Sequence, residues 1–63
     1  MFLLRDKVMT KYGVGVIVGK RKGMIGVGYR PEQLTEEQIE QIGDRSGAIY
    51  IVHFNADELE FVE

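Results

Sequence analysis

Cysteine and tryptophan are absent from this 63-residue chain, and proline and histidine occur once each. Without cysteine there is no disulfide framework and no cysteine-built zinc site. A single histidine, His53, has no second His, no Cys and no suitably spaced Ser or Asp with which to form a metal site or a catalytic triad. Long apolar runs are missing too. The apolar start Phe2-Leu3-Leu4 gives way to Arg5-Asp6-Lys7, too short for the apolar region of a signal peptide or for a membrane span, so a cytoplasmic protein is expected. What is present is ordinary: 44% hydrophobic residues and 29% charged, which argues against wholesale disorder. The length fits one domain over residues 1–63. A chain of about 60 residues buries only about 60% of its unfolded surface, so hollowing an active site out of its core is costly. A non-enzymatic protein without cofactor or metal is expected.

The net charge is small and the charges are unevenly placed. The formal net charge is -2, which excludes a uniformly basic nucleic-acid binder. Residues 1–30, however, hold seven cations and one anion, Asp6, whereas residues 31–63 hold one cation, Arg45, and nine anions. Such asymmetry suits either a charged partner or two halves that attract each other across one fold.

The pattern reads mostly as strands. Arg5–Thr10 is a first strand with Val8 pointing inward, ending at the turn Lys11-Tyr12-Gly13. Val14–Val18 is β-branched and stops at Gly19, after which Lys20-Arg21-Lys22-Gly23 reads as a charged turn. Met24–Tyr29 makes a third strand ended by Pro31. A helix is predicted over residues 36–42. Thr35 is the N-cap and Gln38 completes a capping box. Glu36 and Glu37 suit the first turn, and Gly43 supplies the stop. Leu34, Ile39 and Ile42 should lie on its buried side. Asp44-Arg45-Ser46-Gly47 reads as a polar turn, and Ala48–Phe54 as the best strand, with Tyr50, Val52 and Phe54 facing the core and Ile49, Ile51 and His53 facing out. A short 3₁₀ turn at residues 55–58 leads to a closing strand, Leu59–Val62. Strands this short, joined by tight turns, predict a small antiparallel sheet closing on itself as a barrel.

The stretch Asp6–Gly19, with its turn Tyr12-Gly13-Val14-Gly15, resembles the opening of bacterial SH3-like, Tudor-type domains. It is similar to the C-terminal domain of UvrD/PcrA-type helicases and to the RNA-polymerase-interacting domain of CarD-type regulators. Both begin with a strand, an aromatic-Gly-x-Gly turn and a β-branched strand. Tyr50–Phe54 and Ala56–Val62 resemble the last strands of the same barrels. Residues 24–47 depart from the pattern, because those domains have a shorter connection there. The resemblance implies an SH3-like barrel carrying one inserted helix, and a docking role on protein or nucleic acid.

Other motifs point to less. Gly13-Val14-Gly15 followed by Gly19 lacks the helix that a dinucleotide-binding loop must open, so it reads as a turn and a strand bend. The helix carboxylates Glu36, Glu37 and Glu40 read as a solvated face with favourable dipole placement. Asp57, Glu58 and Glu60 lie in one stretch and cannot flank a substrate. The basic tip Lys20-Arg21-Lys22, with Tyr12 and Tyr29 nearby, is the candidate contact surface: the cations for phosphates, the rings for stacking. The expected function is a docking module on RNA polymerase or on a DNA- or RNA-bound complex. The alternative is a protein–protein assembly subunit, phage or mobile-element encoded and acting on a host enzyme, that uses the helix and Phe2-Leu3-Leu4 without touching nucleic acid.

Overall fold

The computed structural model describes residues 5–43 and 45–62. The chain runs β1 (Lys7–Thr10), β2 (Gly13–Arg21), β3 (Met24–Tyr29), a 3₁₀ turn (Pro31–Gln33), α1 (Glu36–Ile42), β4 (Arg45–Ser46), β5 (Ile49–Phe54), a second 3₁₀ turn (Ala56–Glu58) and β6 (Glu60–Phe61). All pairings are antiparallel, in the order β4-β5-β3-β2-β1-β6. The last strand therefore returns to lie beside the first, with Val8 opposite Phe61. Among the described residues, no helix is long and apolar enough to cross a membrane.

One core explains this arrangement. Val8 from β1, Ile17 from β2, Ile25, Val27 and Tyr29 from β3 and Phe54 from β5 converge with Leu34 and Leu59 from the connections. A sheet that brings both of its ends onto one cluster must curl around it. Burying such apolar surface contributes roughly 25 cal/mol per Å², the main favourable term in so small a fold. Tyr50 and Val52 pack against this cluster, as the alternation in β5 predicts, and Ile49, Ile51 and His53 take the other face. Ile39 and Ile42 attach α1 to the same core.

The helix has the predicted bounds. Thr35 Oγ1 accepts from the Gln38 N–H at 3.1 Å, and Gln38 Oε1 accepts from the Thr35 N–H at 2.9 Å. Gly43 ends it in the left-handed conformation at φ 73°. The capping box thus satisfies donors that a helix start would otherwise leave open.

Several strand bounds move. β1 starts at Lys7 rather than Arg5, because Arg5 is left-handed at φ 71° and its N–H reaches the Ile17 carbonyl at 2.8 Å. β2 does not stop at Gly19. The register shifts between Ile17 and Gly19, so one extra residue bulges and pairing with β3 continues to Arg21. Lys20 and Arg21 are consequently strand residues, and the turn shrinks to Lys22-Gly23. The expected polar turn at 44–47 is corrected at residues 45 and 46, while Asp44 lies outside the described residues. Arg45 and Ser46 pair with Tyr50 and Ile49 as a short hairpin, and Arg45 Nε donates to the Gly47 carbonyl at 2.9 Å. Pro31 ends β3 as expected and opens a 3₁₀ turn. There Gln33 accepts from the Arg30 N–H and donates to the Val14 carbonyl, both at 2.9 Å. The apolar start Phe2-Leu3-Leu4 lies outside the described residues.

Candidate functional site

The basic tip is built by a two-residue turn. Arg21 pairs with Met24, and between them Lys22 (φ 52°) and Gly23 (φ 79°) both take positive φ. That combination defines a primed hairpin turn, whose twist matches the strands it joins. Gly23 adopts it freely, whereas Lys22 does so against the steric preference of an L-residue. Lys20, Arg21 and Lys22 are all exposed. The three cations therefore stand at the end of a paired ribbon rather than on a loose loop.

The two tyrosines do not join them. Tyr29 is 1% exposed and belongs to the core, so its ring cannot stack on a base. The reason is its row: Tyr29 alternates with Gly28 and shares the inner face with Val27 and Ile25. Gly15 on β2 leaves room for that ring, since a Cβ there would lie 2.4 Å from Val27 Cγ1 and 2.9 Å from Tyr29 Cε1. Tyr12 is half-buried in the β1–β2 turn, its ring edge-on to Tyr29 and tilted against Phe54, each at 6.2 Å. It occupies the opposite end of β2 from Lys22. Nine strand residues separate the two turns, roughly 25–30 Å at the usual rise. The expected five-residue surface thus divides into a cationic tip and an aromatic anchor.

The anchor has its own polar chemistry. The hydroxyls of Thr10 and Tyr29 are hydrogen-bonded to each other. Thr10 Oγ1 also accepts from the Tyr12 N–H at 3.0 Å, and both hydroxyls lie 3.3 Å from the Gly13 carbonyl. Burial raises the Tyr29 phenol above its ordinary value, opposed in part by the Thr10 hydrogen bond, with a small upward push from Tyr12. Thr10 had no role in the sequence reading. The available signal was a threonine just before Lys-Tyr-Gly, where a hydroxyl can reach the backbone of the turn.

The remaining candidates stay apart. Glu36, Glu37 and Glu40 are exposed on α1. His53 is half-buried on the outer face of β5, opposite Gly26. Among the described residues, no three His, Cys, Asp or Glu side chains come together as a metal-binding group. Lys11 Nζ lies 5.3 Å from the Tyr12 ring centroid and Arg45 Cζ 5.5 Å from that of Tyr50, so one cation covers the ring of the β1–β2 turn and the other a ring on the inner face of β5. No protein-family model, curated protein or solved structure matches this chain.

Proposed function

We propose that this chain is an SH3-like docking module that binds nucleic-acid machinery, RNA polymerase or a DNA- or RNA-bound complex, through the β2–β3 tip. The observation that carries this reading is the placement of Lys20, Arg21 and Lys22, all exposed, at the end of a paired hairpin with a two-residue turn. A cationic tip on a paired hairpin meets phosphates or an acidic protein surface with little backbone ordering cost. The SH3-like reading is supported by the succession β1-β2-β3-β5-β6, the 3₁₀ turn before the last strand and the return of β6 to β1. In this reading β4 and α1 form the insertion, and Tyr12 and Tyr29 maintain the fold instead of touching the partner. The module is non-catalytic and works in the cytoplasm.

The test is a salt-titrated binding assay against RNA polymerase and against duplex and single-stranded DNA. The triple variant Lys20→Ala/Arg21→Ala/Lys22→Ala should lose at least tenfold in affinity for the partner that binds, with a shallower salt dependence. Absence of binding to all three at low salt, or binding that the triple variant leaves unchanged, rejects the proposal.

A further inference from the structure

The geometry points to a second docking surface: the outer face of the sheet, which would take a polypeptide segment carrying aliphatic and acidic side chains. The strand register defines this face. Val16, Gly28 and Ile51 lie in one row across β2, β3 and β5, and Gly19, Gly26 and His53 in another. β3 contributes no side chain at either row, and over Gly28 neighbours from both sides meet: a Cβ there would lie 2.8 Å from Val18 Cγ1 and 3.1 Å from Ile49 Cδ1. Over Gly26, opposite the bare Gly19, only β5 side chains reach in, and a Cβ would lie 3.4 Å from His53 Nε2 and 3.5 Å from Ile51 Cγ2. Met9, opposite Val14, extends the surface onto β1. Met9 is 42% and Val18 38% exposed. Val16, Ile49 and Ile51 are half-buried, and an apolar face that leaves Met9 and Val18 exposed among the described residues is the kind of surface that a partner covers.

Charge selects the partner. Lys7, opposite Val16, and Arg21, opposite Met24, stand on this same face and are exposed. The one carboxylate that strand register puts there is Glu60, at the far side opposite Met9. Carboxylates flanking aliphatic side chains complement that pattern. Nucleic acid fits it poorly, because the strand tyrosines and Phe54 all lie on the inner rows, leaving bases nothing to stack on. A second copy would meet this face with the same two cations and one carboxylate, a net like charge that disfavours a symmetric dimer. The acidic helix of a second copy does not fill the face either, since Ile39 and Ile42 are already packed on its own core.

A selection from a random twelve-residue peptide library on the intact chain tests this directly, with the enriched peptide then titrated while amide shifts are followed. The enriched peptides should combine aliphatic with Asp or Glu residues and move the amides of Val16, Val18, Ile49 and Ile51. Val18→Glu and Lys7→Glu, each at an exposed position and checked for unchanged amide dispersion, should weaken binding at least tenfold. Lys20→Ala/Lys22→Ala should leave it within twofold, which separates this surface from the hairpin tip. Basic peptides, no enriched motif, shifts confined to the tip, or self-association abolished by Val18→Glu would each overturn the proposal.

Discussion

Thr10 and Tyr29 share a hydrogen bond between their hydroxyls beneath the β1–β2 turn, joining the end of the first strand to the end of the third. No buried side-chain nitrogen or oxygen among the described residues lacks a partner, so these two hydroxyls are satisfied only through each other and the turn. Removing one leaves the other with only its contacts to the turn, the Gly13 carbonyl for Tyr29 and that carbonyl with the Tyr12 N–H for Thr10. Thr10→Val and Tyr29→Phe should each lower stability by about 1–2 kcal/mol. The double variant should lose clearly less than the sum, and urea denaturation of the four proteins measures the coupling. Strict additivity would mean that the bond contributes nothing.

The same burial makes stability fall in alkali. A phenol whose folded pKa is raised above its unfolded value of 10.0 holds its proton longer in the folded chain. Its contribution is full below about pH 10 and disappears as pH climbs from there through the folded pKa. Denaturation midpoints should be flat between pH 7 and 9 and decline beyond. In Tyr29→Phe that decline should be visibly shallower. An unchanged slope would refute the assignment to Tyr29.

Gly15 and Gly19 sit on the same strand with opposite tolerances. A methyl at Gly15 meets Val27 and Tyr29 well inside contact distance, whereas nothing lies within 4 Å of one at Gly19. Gly15→Ala should cost about 1–3 kcal/mol as an overpacked core. Gly19→Ala should stay within about 0.5 kcal/mol of the parent. Thermal unfolding of the two variants, compared side by side, decides this, and equal effects would be wrong for both.

Lys22 pays for its place in the turn with a positive φ that asparagine adopts more readily. Lys22→Asn should raise stability by a few tenths of a kcal/mol up to about 1 kcal/mol, and Gly23→Ala should lower it by about 1–2 kcal/mol. Both are read from denaturant midpoints. A stabilised Lys22→Asn protein that also binds its partner more weakly would separate the fold's preference at this position from that of the contact.

Elements whose signals are local were legible in the sequence. The Thr35 and Gln38 box, with Gly43 eight residues after the cap, defines α1 by short-range hydrogen bonds alone. The alternation in Tyr50, Val52 and Phe54 likewise sets the inner face of β5. What the sequence hid depends on partners far along the chain. Gly19 looks like a strand end until β3 is beside it to keep pairing past the bulge. Arg45 and Ser46 look like a turn until β5 offers them a ladder. Tyr29 was misplaced for the same reason. A tyrosine between Gly28 and Arg30 reads as exposed, and only the bare Gly15 opposite reveals the space its ring fills. At the candidate site the cations were readable from composition, whereas the partition of the tyrosines away from them was not.

The return of β6 to β1 carries a consequence for the order in which the chain comes together and apart. β1, β2 and β3 form a meander whose two turns have two residues each, so their contacts are close in sequence and form early. β6 pairs at only two positions, and Phe61 is 52% exposed. It should attach last and detach first. In native-state hydrogen exchange, the Val62 amide bonded to the Lys7 carbonyl should be released by local opening, well before the Ile17 amide bonded to the Asp6 carbonyl. The seam at which first and last strands meet is then the latch of the molecule, and its loosening need not disturb the meander that holds the basic tip.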